Sequence, residues 1–164
     1  MLSHLTHDNI GLIHLIVSLI SVISGTLVFA MKKGTKRHKQ IGYLYCLSMV
    51  GVVATAFMIY RLFGGFGLFH IAAVISSLTL LAGMIPAFFF RHNPGWINLH
   101  IGFMYWSVMG LYGAFVAESM VRIPETPFFG MVGIGTGIVM AIGGFIFYKN
   151  RAQWEKNFAM PAKA

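Results

Sequence analysis

The chain has 164 residues, of which 57% are hydrophobic and only 10% charged, with a mean hydropathy of +0.77. That leaves too little polar surface to cover a soluble globule of this size, so the composition points to a membrane protein. The net charge of +8 is scattered over short loops, where membrane topology accounts for it, and nucleic-acid binding is not implied.

Five apolar runs follow in chain order, at roughly 9 to 31, 40 to 60, 66 to 90, 96 to 121 and 127 to 148. Each is near or above the ~20 residues needed to cross a bilayer core. The expectation is an all-α polytopic membrane protein: one transmembrane domain over 1–164, five helices, and a four-helix up-down core. The first run has no Lys or Arg before it and is too long for a signal-peptide core, so it reads as a retained helix. Cys46 is the only cysteine, which rules out an internal disulfide or a cysteine-based metal site.

Basic residues set the orientation. Lys32, Lys33, Lys36, Arg37 and Lys39 lie between runs one and two, Arg91 between three and four, and Lys149, Arg151, Lys156 and Lys163 after the fifth. Only Arg61 and Arg122 fall on the other side. The N-terminus is expected outside and the C-terminus in the cytoplasm, in what would be a bacterial cytoplasmic membrane. Trp96, Tyr148 and Trp154 at the inner boundary and Tyr60 at the outer fit interfacial anchors.

Histidines mark the ends of the first four runs. His14 and His70 fall in the outer layer, His38 and His100 in the inner one. An imidazole in hydrocarbon is costly unless something binds it. On the first helix Gly11, His14, Ser18, Ser21 and Gly25 form one stripe of small and polar residues, the kind membrane helices pack together. The same spacing places His38, Gly42, Tyr45 and Met49 on one face of the second helix, and His70, Ala73, Ser77 and Met84 on one face of the third. On the fourth it aligns His100, Ser107, Ala114 and Glu118. A faint repeat links Ile41-Gly42-Tyr43-Leu44-Tyr45 to Ile101-Gly102-Phe103-Met104-Tyr105, with His38 and His100 out of register.

In an up-down bundle the two histidine pairs are the two diagonals. Two imidazoles across a diagonal are too few and too far apart for a bare tetrahedral zinc ion. A haem iron taking one imidazole from each side suits them better. His14 with His70, and His38 with His100, are therefore candidate ligands of two b-type haems, whose layers lie roughly 20 Å apart at 1.5 Å per residue. Lys36, Lys39 and Arg91 would lie near the inner propionates, Arg61 or Arg122 near the outer.

This order of ligands over four successive helices resembles the cytochrome b561 superfamily, over about residues 10 to 122. The resemblance implies a di-haem core, with one haem held by the first and third core helices and the other by the second and fourth. It also implies ascorbate-like or iron chemistry at the surfaces. Five spans stand here where that family has six or four. Two strings, Gly34-Thr35-Lys36-Arg37-His38 through Tyr45 and Met104 through Arg122, are similar to a bacterial membrane family described only as a domain of unknown function.

The function expected is electron transfer across the bilayer, as a membrane oxidoreductase of the b-type cytochrome kind with quinol as one candidate partner. The oligomeric state is open, a homodimer included. The alternative is a haem-free protein or proton-coupled transporter, with a divalent transition metal on His14, His70, Glu118 and His7. Glu118, the candidate catalytic carboxylate, has Arg122 four residues on and on the same face. His4, His7 and His92 otherwise read as solvated, and the eleven methionines as packing residues.

Overall fold

The computed structural model describes residues 9–60, 64–124 and 127–158, and every regular element among them is helical. The helices are α1 (Asn9–Ala30), α2 (Lys36–Ala56), α3 (Leu68–Phe89), α4 (Trp96–Met120) and α5 (Phe128–Phe158). Four of them, α1, α3, α4 and α5, are long and apolar enough to cross a membrane. The exception, α2, opens with Lys36, Arg37, Lys39 and Gln40, which dilute its hydropathy.

Three boundaries differ from the hydropathy reading, one of them the end of α2, which stops at Ala56 with Phe57 as its cap and not at residue 60. α2 starts at Lys36, not residue 40, because Thr35 caps it: the Thr35 hydroxyl accepts the His38 backbone N–H at 3.1 Å. α5 runs past residue 148 because apolar content marks where lipid would end, whereas helix formers continue without Gly or Pro. Arg151 and Glu155 pair at 2.7 Å along that polar extension.

The chain forms two compact units, one up to Ser77 and one from Leu78. In the first, α1 and α2 make an antiparallel hairpin. Its turn is closed by the Lys33 ammonium, which donates to the carbonyls of Val28, Phe29 and Met31 at the end of α1, where the helix dipole favours a cation. Gly34 follows at φ 77, a left-handed conformation that suits glycine. Thr35→Ala should lower stability by about 1 kcal/mol, read from unfolding in detergent, since His38 N–H loses its acceptor.

The hairpin is polar inside and apolar outside. Ser21 donates to Ser48 at 2.8 Å, and Ser48 donates to the Tyr45 carbonyl at 2.9 Å. A Cβ on Gly51 would sit 3.2 Å from Val17, so this glycine sets how closely the helices approach. Ser21, Ser24 and Tyr45 are buried, whereas Ile23 and Leu47 are 60% and 72% exposed. Lipid, unlike water, favours that arrangement. The stripe Gly11, His14, Ser18, Ser21 and Gly25 is buried or half-buried throughout, as the spacing predicts.

In the second unit α4 and α5 are antiparallel and close. Tyr105 donates to the Gly143 carbonyl at 2.7 Å. Added Cβ atoms on Gly135 and Gly143 would meet Met120 and Met109 at 2.8 and 2.7 Å, so the glycines of α5 are seats for α4 side chains. Tyr105, Trp106, Phe147 and Trp154 pack as one aromatic group, tying the polar end of α5 back onto α4. The faint repeat holds best at Tyr45 and Tyr105, both buried.

Candidate functional site

His14 lies in the second turn of α1, half-buried, with Nδ1 2.7 Å from Thr55 Oγ1 on α2. The Thr55 hydroxyl donates its own proton to the backbone, at 2.7 Å to the Gly51 carbonyl and 3.0 Å to that of Val52. The hydroxyl is therefore the acceptor toward His14, and the imidazole proton sits on Nδ1. Nε2 is then the basic nitrogen.

His100 reaches the same tautomer by a different route. Its Nδ1 is 2.8 Å from the Gly83 carbonyl, which can only accept. Gly83 lies on α3, three residues before Pro86, and His100 on α4. The approach of the two helices depends on Gly83 itself, where a Cβ would lie 2.8 Å from Met104 Sδ and 3.2 Å from the Met104 nitrogen. Trp96 stands 6.3 Å from His100, centroid to centroid, with Arg91 6.0 Å from the Trp96 ring centre.

His70, in the first turn of α3, is held the other way round. Its Nδ1 accepts the Gly67 backbone N–H at 3.1 Å, so the ring proton belongs on Nε2. The residue is 2% exposed, and that Nε2 has no hydrogen-bond partner among the described residues. The rings of Tyr60, Phe66 and Phe57 stand 4.7, 5.0 and 6.2 Å from it. His14 and His70 both lie toward the C-terminal end of α2, the first through Thr55 and the second through Phe57.

A histidine that ligates haem iron presents the Nε2 lone pair and donates Nδ1–H to a fixed acceptor, which orients the ring. His14 and His100 each place Nδ1 against such an oxygen. At His70 Gly67 occupies the Nδ1 lone pair and the proton belongs on Nε2.

No protein-family model, curated protein or solved structure matches this chain.

His38 is half-buried in the first turn of α2, in the first unit, while His100 belongs to the second. Glu118 is engaged by Arg122: the carboxylate is 3.9 Å from the guanidinium, and Arg122 Nε donates to the Glu118 carbonyl at 3.1 Å. Both side chains are partly exposed at the end of α4. His92 is exposed, and His4, His7 and Arg61 lie outside the described residues. Among the described residues no group of three or more His, Cys, Asp or Glu is gathered to hold a metal ion.

Sequence reasoning places the histidines but misses the groups that orient them. Thr55 continues the Ser48 and Gly51 face of α2 at a four-residue step, a spacing that marks it as inward-facing. Gly83 and Gly67 act through backbone atoms, and side-chain patterns do not report those.

Proposed function

We propose that the chain is an integral membrane electron carrier that binds two b-type haems, with His14 as a ligand of the outer one and His100 as a ligand of the inner one. The observation that supports this best is the shared tautomer of His14 and His100. Two imidazoles on different helices each commit Nδ1–H to a helix-borne oxygen, leaving Nε2 as the ligating nitrogen. A bound haem would supply one-electron redox chemistry. The chain's own part is to fix the imidazole planes through Thr55 and the Gly83 carbonyl, and to surround them with apolar side chains that exclude water.

α2 is the fifth span in this proposal. Its basic residues sit only in its first turn, where long side chains extend to the interface, and it packs along α1, itself apolar enough to span. In this proposal the N-terminus lies outside and the C-terminus in the cytoplasm, a reading that the concentration of Lys and Arg in alternate loops supports. Lys36 and Lys39 open α2 and Arg91 follows α3, and bases of this kind would supply the positive charge that propionates need. Quinol in the bilayer is the proposed small-molecule partner.

Protein purified from haem-replete cells is expected to carry about two haems per chain by pyridine haemochrome, in line with two ligating layers. His100→Ala should remove the inner haem and leave the outer. A colourless protein from such cells would contradict the proposal.

A further inference from the structure

We infer that His70 is a fixed hydrogen-bond donor, not an iron ligand, and that it receives a carbonyl oxygen of a planar, uncharged molecule of the quinone class arriving from the bilayer. The donor geometry stands by itself; why such a molecule would come rests on the electron-transfer proposal above.

Three observations carry the inference. The Gly67 N–H bond to Nδ1 leaves the ring proton on Nε2, and a neutral imidazole cannot then offer iron a lone pair at Nε2 without losing that proton or that bond. The residue is 2% exposed and Nε2–H has no partner among the described residues, a donor that proteins rarely leave unmade unless a ligand completes it. The surroundings then select the ligand. Tyr60 and Phe66 stand 4.7 and 5.0 Å from the imidazole at 32° and 30°, with Phe57 at 6.2 Å, so the ring that carries the donor is flanked by flat aromatic rings without formal charge. Rings of that kind pack against another planar ring, and an apolar frame penalises a charged ligand while accepting a neutral carbonyl. Tyr60 and Phe66 are 46% and 63% exposed at the end of a hairpin whose outer surface is apolar, which puts the frame within reach of a lipid-soluble molecule.

One consequence separates this assignment from paired-histidine ligation. With His14 as its only protein ligand the outer haem would be high-spin, whereas a haem held between His14 and His70 would be low-spin.

The test compares wild type, His70→Leu and His70→Gln in nanodiscs, with decylubiquinone as the probe and haem content and spin state measured on the same samples. His70→Leu is expected to weaken quinone binding by about tenfold or more, the loss of one buried hydrogen bond, while the glutamine amide, which can still donate, retains most of it. Both variants should keep the wild-type haem content and spin state. Loss of a haem in His70→Leu, a change of spin state, unchanged quinone affinity, or a wild type that binds no quinone would each overturn the inference. If wild type is colourless the haem proposal fails, yet the quinone comparison still decides the role of His70. Nitrogen NMR of labelled histidine in the wild type alone reads the tautomer: a His70 proton on Nε2 is expected, and one on Nδ1 would overturn the assignment even if the variants did not fold.

Discussion

His14→Ala is expected to cut the haem content to about half and to abolish electron transfer between the two faces, the largest effect of any single substitution outside the inner layer. The protein should remain folded. His14 is only half-buried, and its hydrogen bond to Thr55 contributes about 1 kcal/mol to stability. Thr55→Val should act in the same direction and more weakly. It removes the acceptor that fixes the His14 ring, and loss of such an orienting partner costs about 10–100-fold in affinity for the bound group. Haem titration of the two variants separates these effects. Equal loss in both would mean that Thr55 supports the fold of the hairpin and not the orientation of the imidazole.

Gly83→Val should destabilise the protein by about 1–3 kcal/mol and release the inner haem. The Met104 side chain can shift away from a new Cβ, but the Met104 nitrogen, 3.2 Å from it, belongs to the backbone of α4. Relief therefore requires α4 to move off α3, which lengthens the bond from His100 to the Gly83 carbonyl. Gly110→Ala on α4 is the matched control. A Cβ there meets nothing within 4 Å, and replacing a helical glycine in open space should stabilise by about 0.5–1 kcal/mol. Thermal unfolding and the haem content of the two variants check the contrast. Retention of the inner haem in Gly83→Val would show that the Gly83 carbonyl does not position His100.

The inward faces are legible in the sequence because membrane helices bury small and hydroxyl side chains, and these recur at helical intervals whatever the loops do. Spacing alone marks Gly11, His14, Ser18, Ser21 and Gly25 as one packed stripe, and a four-residue step marks Glu118 and Arg122 as a pair. Orientation of the imidazoles is not legible. The partner of His14 is 41 residues away and that of His100 is 17 away, and the latter is a carbonyl, which every residue has. Gly67 is only three residues from His70, but its N–H reaches Nδ1 only because of the turn that opens α3. Hydropathy also stops short at α5, since it measures the extent of apolar chain and the helix continues into charged sequence.

Electron transfer across a bilayer is tested most directly in liposomes containing the oriented protein, loaded with a reductant, with an impermeant acceptor outside. The wild type is expected to reduce the outside acceptor, and His14→Ala and His100→Ala should each stop it while leaving the vesicles sealed. A wild type that binds haem and transfers no electron to the outside acceptor would contradict electron transfer across the membrane and leave a haem protein that works on one face.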